Sequence, residues 1–168
     1  MLAAMKITLR AAVFCLFAAF VLVSSTTAEA QTAKFDTTAD AALVAMRHKA
    51  EELGIQGAAL VAYFEGDSIQ AWSSKMVVVG SMRKEPKDET DTGSNLLAIA
   101  YAKACEMADT LKDSGSKVRP VMKGELGWQG GVIVRGKKGY IVAAFSGGKS
   151  EDDVKVSRAG AEAMQTAF

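Results

Sequence analysis

The chain has 168 residues, 49% of them hydrophobic and 23% charged, with 20 basic against 19 acidic side chains, one histidine and two cysteines. That length suits one domain with a substantial core, and a near-neutral balance without long basic tracts gives no electrostatic ground for nucleic-acid binding. CxxC and Cys/His zinc spacings are absent, which leaves no strong metal or redox signature.

The first thirty residues read as a secretory signal peptide. Lys6 and Arg10 precede an apolar run from Ala11 to Val23, and small residues at Ala28 and Ala30 place the cleavage before Gln31. The run is too short for a comfortable membrane span, so no stable span is expected in the mature chain. Cys15 lies inside it without the small residues that would mark a lipoprotein anchor. Removing Lys6, Arg10 and Glu29 with the leader leaves basic and acidic residues in balance. Cys105 is then the sole thiol, so an exported, periplasmic or secreted domain must hold its fold without an internal disulfide. The expected organisation is a leader over 1–30, a flexible polar segment over 31–40 and a single domain over 41–168.

"DAALVAMRHKAEELG" predicts a helix with Asp40 as its N-cap. Leu43, Met46, Ala50 and Leu53 form one face, and Gly54 is the stop. "GAALVAYF" and "DSIQAW", joined by Glu65-Gly66, predict a hairpin that "KMVVVG" extends or follows as a third strand. "SMRKEPKDETDTG" predicts an exposed loop. In "SNLLAIAYAKACEMADTLKDSG" the residues Leu97, Ala100, Ala104, Ala108 and Leu111 share a helical stripe, with Asn95, Glu106 and Asp109 opposite. "WQGGVIVR" and "YIVAAFS" flank Gly136–Gly139 as a second hairpin, and a last helix begins near Glu151. Hairpin-linked strands between helices predict an α+β fold: an antiparallel sheet of about five strands with flanking helices.

Few residues carry a chemical signal. The turn "FSGGKSEDD" joins a strand to a helix. Glu151, Asp152 and Asp153 repel a phosphate there, and Ser150 with Asp153 reads as a capping arrangement. His48 projects well over a quarter turn from its helix's apolar face, which places it on the surface or against a ligand from outside the core. Cys105 lies beside its helix stripe and reads as structural or incidental. Trp72, Met76, Tyr63 and Trp128 suit a core or an apolar pocket, and Lys75-Met76 sits at a strand end where function concentrates. Ser146, Lys103 and the nearby acids make an enzymatic site only if folding brings them together.

The order "AEELGIQGAALVAYFEGDSIQAW", "LLAIAYAKACEMA" and "WQGGVIVRGKKGYIVAAFSGGKSEDDVKVSRAGAEA" resembles the GlcG/HbpS family, the haem-degrading domain family. The likeness runs through Lys103-Ala104, Gly130-Gly131, Ser146-Gly147, Asp152-Asp153 and Ala159-Gly160 and covers nearly all of the mature chain. It departs at Lys75–Val78, where that family has an Arg-x-Asp-Gly segment, and at Val132-Ile133 in place of a proline. The resemblance implies a profilin-like or PAS-like α+β fold, homo-oligomers and, in some members, extracytoplasmic haem binding. The implied function is an exported small-ligand-binding domain with haem or a related tetrapyrrole as first ligand, or else a non-catalytic oligomeric interaction module of the periplasm. The cofactor-binding candidates are His48, Met76, Tyr63 and Lys103, with a hydroxyl as a further option. A small apolar ligand is the other partner expected; nucleic acid is not.

Overall fold

A computed structural model describes residues 33–168. The leader expected over 1–30, Cys15 included, lies outside the described residues. The first helix, α1, occupies 33–52. It is followed by β1 (Gly57–Glu65), β2 (Ser73–Val79), β3 (Arg83–Lys84), β4 (Ser94–Asn95), α2 (Leu96–Thr110), β5 (Gly131–Arg135), β6 (Gly139–Ser146) and α3 (Ser150–Gln165). Four strands form one antiparallel sheet in the order β2-β1-β6-β5, and β3 pairs with β4 in a separate short ladder. The α+β class with flanking helices is therefore as expected, with four strands in the main sheet. Asp36–Phe168 form one compact unit.

Alternation along β1 sorts the core into two layers. Ala58, Leu60, Ala62 and Phe64 pack with Val142 and Ala144 against Leu96, Ala100, Ala104 and Met107 of α2. Small residues on that helix face let it lie close to the strands. The opposite face carries Ala59, Val61, Ile141, Ala143 and Phe145, all buried. There Gly160 of α3 lies against Met46 of α1 and Val61. Complete burial of large side chains such as Phe64, Leu60 and Met107 contributes about 1.5–3 kcal/mol each relative to exposure.

Several local expectations are corrected. Residues 33–40, expected as a flexible lead-in, are helical. Asp40 is consequently inside α1, and its carboxylate accepts from Lys75 Nζ at 2.9 Å rather than capping the helix. The predicted stop holds. Gly54 has φ +66°, and bonds from Gly54 N to Glu51 O and from Ile55 N to Ala50 O close a Schellman motif. The first hairpin forms with a different second strand: β1 pairs with Ser73–Val79, from Gly57 opposite Val79 to Tyr63 opposite Ser73. "DSIQAW" is loop, because Ile69 and Trp72 fold onto the α2-side cluster instead of extending a ladder. The 80–92 loop is exposed over 83–90, and its end returns as β4 to pair with β3.

Asn95, expected on the polar face of helix α2, instead precedes it. Asn95 is extended and its Oδ1 accepts from Ala98 N at 3.0 Å, a side-chain N-cap. The helix ends on Leu111 in the left-handed region, φ 53°, a conformation unfavourable for a branched residue. Packing of the Leu111 side chain against the α2-side cluster offsets that cost.

Candidate functional site

Lys103 and Asp153 meet at the end of the sheet where β5 stops short. The register of β5 with β6 ends at Gly131 opposite Ala144. Beyond it Gly130 turns to φ +131° and its carbonyl accepts from Phe145 N at 3.2 Å and from Ser157 Oγ at 2.6 Å. The Phe145 carbonyl takes its hydrogen bond from Lys103 Nζ at 2.8 Å. The α2 ammonium thus stands where the next strand N–H would have been.

The same ammonium bonds to Asp153 Oδ2 at 2.8 Å. The two side chains are 3% and 5% exposed, so this is a buried ion pair joining the helices of opposite sheet faces. Gly130 makes room for it, since a Cβ there would strike Lys103 Nζ and come within 2.9 Å of Asp153 Cβ. Burial lowers the Lys103 pKa, with the Asp153 charge opposing. Burial likewise raises that of Asp153, against the pull of Lys103 and of the Gly147 and Gly148 amides.

The glycine turn does cradle an anion, and the anion is the chain's own. Gly148 N donates to Asp153 Oδ1 at 2.8 Å. The helix N-cap is Lys149, without a side-chain cap bond. Ser150 is inside the helix, so the expected Ser150 cap is displaced by one residue, and Asp153 reaches back to the turn instead.

Beside this pair lies a cavity of about 130 Å3 lined by Lys103, Ser146, Gly147, Gly148, Gln129 and Lys84, among others. Ser146 is 4% exposed, and its hydroxyl makes no side-chain hydrogen bond among the described residues. Asp153 has both oxygens engaged, whereas Lys103, with three N–H groups, uses two. Lys103 and Lys84 thus bring ammonium donors to a wall whose Asp153 acceptors are already engaged. Folding does bring Ser146, Lys103 and an acid to one place.

The four cofactor candidates are not brought together. His48 is exposed on α1. Tyr63 is buried on the sheet face of α1 and α3, its ring centroid 4.2 Å from that of Phe168. Burial, followed by the Glu65 charge and hydrogen bond, raises its phenol pKa and disfavours the phenolate that would bind iron. Met76, opposite Leu60, packs half-buried against the α2-side cluster. Neither the cavity at Lys103 nor a second one near Glu106 is lined by His48, Tyr63 or Met76. The 130 Å3 of the cavity at Lys103 is far too little for a tetrapyrrole. Among the described residues no group of three or more His, Cys, Asp or Glu is placed to hold a metal ion, and no helix is long and apolar enough to cross a membrane.

Cys105 is exposed as a residue, while partial desolvation of its thiol, then the Glu125 charge, raises its pKa. That direction is the reverse of a reactive thiolate's.

Asp153 was legible only as a helix-start acid and Glu106 only as a surface residue. The available signal was a lysine three residues after Ala100, on the flank of an apolar stripe, which demands an acidic partner if buried. Comparisons with protein-family models and with curated proteins give no match to this chain. Fold and site together define an α+β domain with a buried lysine–aspartate pair beside a small cavity.

Proposed function

We propose that the domain is an exported binding module for a small, acceptor-bearing ligand such as a monocarboxylate. The observation that carries this reading is the Ser146 hydroxyl, without a side-chain hydrogen bond among the described residues, beside the buried Lys103 ammonium in the 130 Å3 cavity. Lys84 and Gln129 add donors at the same wall. Export rests on the sequence pattern of the leader. Of the residues that carry the GlcG/HbpS resemblance, Lys103, Ser146, Gly147 and Asp153 line this cavity.

Titration with acetate and with lactate, followed by amide NMR, should move the Ser146, Gly147 and Gly148 signals saturably. Ser146→Ala should weaken binding by about tenfold, the value of one hydrogen bond to a charged group. Shifts that never saturate, or that persist unchanged in Ser146→Ala, would reject the site.

Haem is the second ligand reading, at a different place. His48 shares a helix face with Val44, one turn earlier, and Val44 is 54% exposed. An imidazole beside an exposed aliphatic side chain suits a shallow site or one shared between subunits. Hemin added to the protein should produce a saturable Soret shift that His48→Ala abolishes. A spectrum equal to that of hemin in buffer would remove this reading.

A further inference from the structure

Glu106 of α2 is a second chemical focus, separate from the cavity at Lys103. It is 6% exposed, and its Oε1 accepts from Gly115 N at 2.9 Å. Its other oxygen, Oε2, is buried with no hydrogen-bond partner among the described residues. A carboxylate oxygen cut off from water without a donor is costly, so native folds normally supply one. Here the carboxylate lines a cavity of about 580 Å3, within the usual range for small-molecule sites. No residue lines both cavities.

The remaining wall defines what would enter. Val118, Pro120 and Val121 present apolar surface, and both valines are exposed in the loop between α2 and β5. Arg119 also lines the cavity, but its guanidinium is committed to Asp109 and to Glu125. Those two acids outweigh it by one charge, and Lys117 at the rim cancels that excess. Glu106 is thus left as the uncompensated charge.

We propose that this cavity binds a primary ammonium carried on an apolar body, with the ammonium donating to Glu106 Oε2 and the body lying against Val118, Pro120 and Val121. Because Oε2 has almost no open surface in the ligand-free fold, the ammonium reaches it only as the Glu106 side chain turns toward the cavity.

The test uses phenethylamine, with phenylacetate and phenethyl alcohol as controls, in calorimetry on the full folded domain. Phenethylamine should bind saturably and the controls should not. Glu106→Gln places an amide where an acceptor is needed and should weaken binding by roughly tenfold or more. Because it also removes an unpaired buried charge, the ligand-free variant should melt no lower than the parent. Val121→Lys, at an exposed wall position, should weaken amine binding by repulsion without disturbing the core. Absence of saturable amine binding, or equal affinity in Glu106→Gln, overturns the proposal. A large loss of melting temperature in both Glu106→Gln and Lys117→Ala would also overturn it, by making Lys117 the missing donor.

Discussion

Lys103 links the two faces of the sheet. Its ammonium satisfies the Phe145 carbonyl and the Asp153 carboxylate within a region nearly closed to water. Replacing it with methionine keeps the volume and strands Asp153 as a buried charge, which should cost about 3–5 kcal/mol. Lys103→Met with Asp153→Asn removes both charges and preserves an acceptor for the Gly148 amide, so most of that loss should return. Urea unfolding of the two variants measures the difference. A cost below about 1 kcal/mol for Lys103→Met would mean that the pair is not a stabilising link.

At the scale of elements, the long connection from α2 to β5 is held by a clamp rather than by a core. Arg119 bonds to Asp109 of α2 and, through two nitrogens, to Glu125 within the loop. Met122 N also donates to Glu125 Oε2 at 2.9 Å. The Arg119 hydrogen bonds, then the Met122 amide, depress the Glu125 pKa from 4.5 to about 2. A carboxyl depressed on folding contributes stability above its unfolded pKa and loses it as pH falls through the folded one. The clamp should therefore be complete above about pH 4.5 and gone near about pH 2. Denaturation of the parent and of Glu125→Gln should show an advantage for the parent at neutral pH that shrinks to nothing across that window. An advantage independent of pH would separate the clamp from Glu125 ionisation.

For the whole molecule, the exposed apolar residues are concentrated. Val118, Val121, Met122, Leu126 and Trp128, all in the α2–β5 connection, are exposed, and such grouping marks contact surfaces more often than chance decoration. We propose that the homo-oligomer expected from the family resemblance, if it forms, is built through that loop. Light scattering should then give a multiple of the chain mass, and Met122→Ser with Trp128→Ser should lower it while the melting temperature holds. A parent protein that stays monomeric across the accessible concentration range would eliminate this assembly.

The sequence by itself determined the class of fold and most element positions, because both rest on local patterns. The nearly continuous apolar run of "GAALVAYF", the apolar "YIVAAFS", the Gly54 stop and the stripe through Ala100 and Ala104 are decided by residues a few places apart. The tertiary structure alone decided which polar residues are buried. Helical spacing put Glu106 opposite the apolar stripe, but the α2–β5 connection folds over that side, so Gly115 N and the loop's valines enclose it. Lys103 and Asp153 lie fifty residues apart and meet beside Gly130, the residue just before β5 begins, which has no Cβ to block them. The acids of "FSGGKSEDD" argued against an anion at that turn. In the fold one of them, Asp153, is the anion that the turn receives. Local sequence sets propensity and pattern, whereas a site assembled from distant segments depends on sheet register and loop packing, which no short window encodes.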